Sequence, residues 1–149
     1  MSTIADRTAG QTIPRAFLAT VEGRGDAVAL RWKEGEEWRE MTFNQYRENV
    51  ARAAAGLREL GVGRGDRVVL MLRNCPEFHV LDTAALFLGA TPVSIYNSSS
   101  SEQIEYLAGH CDAVVGVVED DGFLARFNPV RAALTELRTL GVVRPGAEA

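Results

Sequence analysis

Residues 67–96 read "RVVLMLRNCPEFHVLDTAALFLGATPVSIY". The apolar run 67–72 has the length and β-branched content of a buried strand. Pro76, tolerated in a first helical turn, opens a helix to about Leu88, and "PVSIY" (92–96) is a second strand. The alternation then repeats. A helix from about Glu102 to His110 precedes the strand "AVVGVV" (113–118); helical residues around Val130–Leu137 precede the strand "TLGVV" (139–143). Continuous apolar strands alternating with helices imply a parallel sheet covered on both faces. Short connections and right-handed crossovers make this a doubly wound α/β unit.

Upstream the pattern differs. Thr12-Ile13-Pro14 predicts a helix start, with Phe17, Leu18 and Val21 as its apolar face. "AVALRW" (27–32) and "WREM" (38–41) read as an antiparallel hairpin around the polar turn Lys33–Glu37. Thr42 and Gln45 have capping-box spacing. The helix they open repeats Phe43, Tyr46, Val50, Ala53, Leu57 and Leu60 at three- and four-residue steps, and Gly61 stands where a C-terminal cap belongs.

The chain has 149 residues, 46% apolar and 24% charged, which predicts one compact domain with its own core. The net charge of −4 is spread over interspersed signs, with no basic stripe, so nucleic acid is not a predicted partner. No apolar run reaches membrane-spanning length and "MSTIADRTAGQ" lacks a signal-peptide core, so a cytoplasmic location is expected. Cys75 and Cys111 have no zinc-type spacing, and no metal site is predicted.

Several stretches invite functional readings that their context does not support. "GVGRGD" (61–66) ends a helix and enters a strand, the reverse of a dinucleotide fingerprint, and reads as a cap and turn. Both Arg-Gly-Asp triplets precede strands and read as turns. Asn97-Ser98-Ser99 is a glycosylation sequon with no consequence for a chain that is not secreted. His79, Asp82 and Thr83 share a helix face with no nucleophile beside them, so they read as its polar stripe.

The serine run in "VSIYNSSSSEQ" (93–103) looks like a phosphate grip but has no glycine and no basic partner. Ser100 with Gln103, or Ser99 with Glu102, instead fits a capping box. The helix 76–88 is apolar nearly all round, a pattern normally buried on more than one side. Only "RPGAEA" follows the last strand. From both features we expect part of the structure to lie outside this chain.

"MTFNQY" (41–46) and "ALFLGATPVSIYNSSSSEQIEYL" (85–107) resemble the first two core motifs of long-chain fatty acyl-CoA synthetases. These belong to the adenylate-forming superfamily, with firefly luciferase and peptide-synthetase adenylation domains. The resemblance runs from about Thr12 to Gly146. It implies an incomplete N-terminal part of the adenylate-forming fold: residues 1–149 as a partial AMP-binding domain, 1–11 flexible, and no C-terminal lid domain. It also implies a two-step ligase activity. ATP and a fatty acid form an acyl-adenylate with magnesium neutralising phosphate charge, and coenzyme A then displaces AMP. A peripheral membrane association of the complete enzyme is compatible with this.

The family's phosphate loop, its Tyr-Gly-x-Thr-Glu segment, its ribose-binding aspartate and its catalytic lysine do not occur in these 149 residues. The resemblance therefore assigns no catalytic residue here, and the expectation is a fragment that neither adenylates nor binds nucleotide tightly. By the same resemblance, Tyr96, Asn97 and Ser98 border a coenzyme A channel, although relatives often carry glycine at the last two. In the loop after the next strand, where such relatives hold the coenzyme's ribose phosphate with arginine, the resemblance offers Arg126, about one position out of register. The alternative is a non-enzymatic α/β module that pairs with a second chain. A flavodoxin-type domain fits less well, because "RNCPEF" (73–78) offers neither the glycines nor the Ser/Thr cluster of a flavin phosphate site.

Overall fold

In the computed structural model, residues 3–4 and 8–146 are described; positions 1, 2 and 5–7 of the segment expected to be flexible lie outside the described residues. The chain divides into two compact units, Met1–Asn49 and Val50–Ala149.

The first unit opens with α1 (Ile13–Arg24), whose cap Thr12 accepts from the Arg15 amide as its Thr-Ile-Pro start predicts. A hairpin follows, β1 (Val28–Glu34) and β2 (Glu37–Thr42), paired antiparallel with Glu34 opposite Glu37. The turn is thus shorter than Lys33–Glu37, because Gly35 adopts φ +61° and lets the strands extend to its edge. Helix α2 (Phe43–Glu59) carries the predicted capping box in both directions: the Thr42 amide donates to Gln45 Oε1 and the Gln45 amide to Thr42 Oγ1.

The second unit is the parallel sheet. Its strands β3 (Arg67–Met71), β4 (Thr91–Ser94), β5 (Val115–Asp120) and β6 (Thr139–Arg144) lie in the order β4-β3-β5-β6, all parallel. Val68, Val69, Leu70 and Met71 have no exposed surface, each contributing roughly 1.5–3 kcal/mol by its burial. Alternation sends Val69 and Met71 into a core with Ile104, Val118, Phe123 and Phe127. Helix α3 (Pro76–Phe87) packs on β3 and β4. Its buried positions include the small residues Thr83, Ala84 and Ala85, which bring it close to the sheet, whereas its larger apolar residues are only half-buried.

Helix α4 (Ser101–His110) begins one residue earlier than expected and chooses between the two candidate caps. Ser100 accepts from the Gln103 amide, and Gln103 Oε1 accepts from the Ser100 amide at 2.9 Å. The next helix is where the sequence reading fails. Val130–Leu137 holds only the end of a 3₁₀ turn (Asn128–Val130) and further turns; the helix is α5 (Asp121–Phe127), directly after β5. Asp120 starts it by accepting from the Phe123 amide, and Pro129, with no N–H, lies just beyond its end. Arg126 therefore sits in the last turn of a helix rather than in a loop.

The glycines of the 61–66 stretch act as a cap and turn: Gly61 and Gly65 adopt φ +83° and +88°, and Asp66 Oδ2 accepts from the Gly63 amide. Asp112 takes the left-handed position after α4 at φ +47°. The Arg67 guanidinium donates to the Asp112 and Cys111 carbonyls there, satisfying a helix end. Among the described residues no helix is long and apolar enough to cross a membrane.

Candidate functional site

In an open parallel sheet, ligands bind beyond the carboxyl ends of strands, where neighbouring crossovers diverge. Here β3 lies between β4 and β5, so the chain turns one way into β4 and the other way into β5. The segments after β3, β4, β5 and β6 meet at that edge, and three of the four predicted site residues come from the loop after β4.

Tyr96 is 80% exposed and Ser98 is exposed, while Ser99 between Ser98 and the helix cap is buried. The Ser99 amide donates to the Tyr96 carbonyl, closing a tight turn that leaves the side chain of Tyr96 outward. Asn97 and Arg126 are brought together, Nη1 of Arg126 donating to the Asn97 carbonyl at 2.5 Å. Ser101 Oγ donates to the Arg126 carbonyl at 2.8 Å, a second tie between this loop and the end of α5. The Arg126 guanidinium also lies 5.1 Å from the Phe123 ring centroid. No carboxylate pairs with Arg126 among the described residues, and its one hydrogen bond seen there goes to the Asn97 carbonyl.

Beside this loop stands a charge network that sequence reading did not anticipate. Glu119 and Asp120, at the end of β5, are 5% and 3% exposed. Arg73, just after β3, donates its backbone amide to Glu119 Oε2 at 2.6 Å and its Nη1 to Asp120 Oδ2 at 2.5 Å. Arg144, ending β6, reaches Glu119 Oε1 at 3.4 Å and both carboxylate oxygens of Glu77 at 3.1–3.2 Å. The hydrogen bond from Arg73 holds the Asp120 carboxyl below its ordinary range against the opposing effect of burial, and the same bond raises Arg73. Burial pushes Glu77 up, but its backbone amide, Arg144 and Cys75 together draw it lower. Cys75, buried beside this network, is pushed up to about 11 by desolvation. The one sequence signal was Asp120 three residues before Phe123, a helix-cap spacing hidden by the apolar run before it.

These arginines are occupied by carboxylates and serve structure. His79 and Asp82 lie half-buried on α3, with burial raising the Asp82 carboxyl and His79 opposing that shift. Among the described residues no three His, Cys, Asp or Glu side chains gather as metal ligands. An open groove of about 560 Å³ beside α4, lined by Glu102, Tyr106, His110 and Leu134 among others, includes none of the predicted site residues. The arrangement at the carboxyl edge thus offers a cation, an exposed aromatic ring and an exposed serine, beside a buried Cys75 thiol that is held protonated and hydrogen-bonded to Glu77.

Comparison with known proteins places this geometry in a family. Residues 17–148 match the family model described as AMP-binding enzyme. The long-chain-fatty-acid–CoA ligase ACSBG2 of Xenopus laevis is 36% identical over 129 residues, covering 87% of this chain and 18% of that protein. Uncharacterized protein Rv1549 of Mycobacterium tuberculosis is 43% identical over 108 residues, covering 72% of this chain and 61% of that one. The crystal structure of the anthranilate CoA ligase AuaEII in complex with anthranoyl-AMP superposes with a TM-score of 0.80 at 26% identity, covering 87% of this chain and 24% of that chain. The chain thus spans about a fifth of the ligase from Xenopus laevis and about three-fifths of the mycobacterial protein. Both the α/β sheet and the hairpin are those of an adenylate-forming ligase, and the chain belongs to the AMP-binding enzyme family.

Proposed function

We propose that this chain is the N-terminal portion of a fatty acid–CoA ligase and contributes one wall of the coenzyme A channel. The complete enzyme takes a fatty acid, ATP with magnesium, and coenzyme A, and is a cytoplasmic protein. The observation that carries the reading is the junction of Asn97 with Arg126 at the carboxyl edge of the sheet. It gathers a guanidinium with no carboxylate partner among the described residues and an exposed tyrosine on the segment matched to the family. Arg126 suits a phosphate of the coenzyme, and the exposed Tyr96 ring suits its pantetheine arm.

The adenylation step belongs to segments not found among these 149 residues. We therefore expect the chain by itself to show no fatty-acid-dependent ATP–pyrophosphate exchange above blank. In a complete ligase carrying residues 67–146, Tyr96→Ala and Arg126→Ala are expected to raise the KM for coenzyme A about tenfold while leaving exchange intact, a loss of about 1.4 kcal/mol of binding. An unchanged KM in both variants contradicts the channel reading. A second reading, a module completed by another chain, draws on the partly exposed apolar residues of α3. A chain soluble and monodisperse by itself, with no downstream reading frame opening on a Ser/Thr/Gly-rich loop and Pro-Lys, would favour it.

A further inference from the structure

Phe123 is 3% exposed and lies in the main core cluster, a place any large apolar residue could fill. Its surroundings ask for more than volume. The Arg73 guanidinium stands 4.6 Å from its ring centroid and the Arg126 guanidinium 5.1 Å, both inside the range of cation–π attraction. Arg73 is neutralised by Asp120 and Glu119, whereas Arg126 has no carboxylate partner among the described residues. With no carboxylate there to hold the Arg126 guanidinium, the electron-rich ring supplies an attraction that does.

We infer that Phe123 is a positioning residue, fixing the Arg126 guanidinium and through it the loop Tyr96–Ser100. The path is continuous: Asp120 accepts from the Phe123 amide at 3.0 Å and from Arg73 at 2.5 Å, Phe123 supports Arg126, and Arg126 holds the Asn97 carbonyl. Segments following β3, β4 and β5 are thereby tied together across the place where the crossovers diverge. A leucine at 123 would fill the core without offering a π face. The bearing of this clasp on coenzyme A rests on the channel reading above; the clasp itself does not.

The test is amide hydrogen exchange on the 149-residue chain. The reporter is the Ser99 amide, which closes the turn held by Arg126. The control is the Val114 amide, which donates to the Arg67 carbonyl at the opposite end of the sheet. Phe123→Leu is expected to speed Ser99 exchange about tenfold relative to Val114, in line with the loss of one partly desolvated cation–π contact. Arg126→Gln, which leaves the core intact, is expected to do the same and keeps the test open where Phe123→Leu fails to fold. Equal acceleration of both amides in Phe123→Leu, or an unchanged ratio in Arg126→Gln, overturns the inference. Titration with adenosine 3′,5′-bisphosphate separates the two claims. Failure of a complete ligase carrying residues 67–146 to bind it counts against the channel reading, whereas the exchange ratio judges the clasp.

Discussion

Asp120 offers the sharpest perturbation, because its two carboxylate oxygens have separate tasks. Oδ1 accepts from the Phe123 amide and caps α5; Oδ2 accepts from Arg73 Nη1 at 2.5 Å. Asp120→Ala removes both. The cap is worth about 1 kcal/mol. Breaking a fully buried pair costs about 3–5 kcal/mol, but the Arg73 side chain is 45% exposed and keeps Glu119 at 3.4 Å, so the loss is smaller. We expect a total of about 2–3 kcal/mol. Asp120→Asn retains the cap, since asparagine caps as well as aspartate, and should cost about 1–2 kcal/mol. With an m-value of about 1.5 kcal/mol/M, urea denaturation should show the alanine midpoint lowered by about 1.5 M and the asparagine midpoint by about half that.

The pH dependence has a definite sign. The folded state holds the Asp120 carboxyl below its unfolded value of about 3.9, so its contribution is complete above that pH and is lost as pH falls through the folded value. The acid limb of the stability curve should therefore flatten in Asp120→Asn. Equal costs for the two variants, or an unaltered acid limb, would refute this division of labour.

Three other outcomes follow from the same packing. Ser100→Ala should cost about 1 kcal/mol by thermal or urea unfolding, through loss of the α4 cap; a neutral effect would mean the cap seen here contributes nothing. Gly116→Ala should destabilise by about 1 kcal/mol or more, because the added Cβ would stand 2.8 Å from Leu140 Cδ1 and 3.2 Å from Val69 Cγ2. Cys75, buried and with its thiol raised to about 11, should resist a disulfide reagent at pH 8 far longer than the half-buried Cys111. Its raised value also means that stability is complete below the unfolded thiol's pKa, near 9, and falls as pH rises towards 11.

Much of the fold was legible because parallel strands write themselves as continuous apolar runs: "RVVLM" and "VVGVV" needed no partner to be recognised. Capping boxes were legible for a similar reason, since Thr42–Gln45 and Ser100–Gln103 satisfy each other within one turn. The helix after β5 was not. "ALTEL" (133–137) has helical composition, yet those residues form turns tied by Arg131 to the Leu134 and Arg138 carbonyls. Asp120 lies two residues past the strand read from the sequence, and its role depends on Arg73, 47 positions away. The candidate site was half visible. Family resemblance alone pointed to Tyr96, Asn97, Ser98 and Arg126, whereas local chemistry made the serine run a helix start. The carboxylates that claim Arg73 and Arg144 become visible only when the strands lie side by side.

The most direct test of the account is to titrate an isotopically labelled complete ligase carrying residues 67–146 with coenzyme A and with its 3′-dephospho form, following backbone and arginine side-chain resonances. We predict saturable shifts confined to the Tyr96–Ser98 loop and Arg126, with the dephospho form binding about tenfold more weakly. Shifts centred elsewhere, or equal binding of the two forms, would contradict the assignment of this edge to the coenzyme.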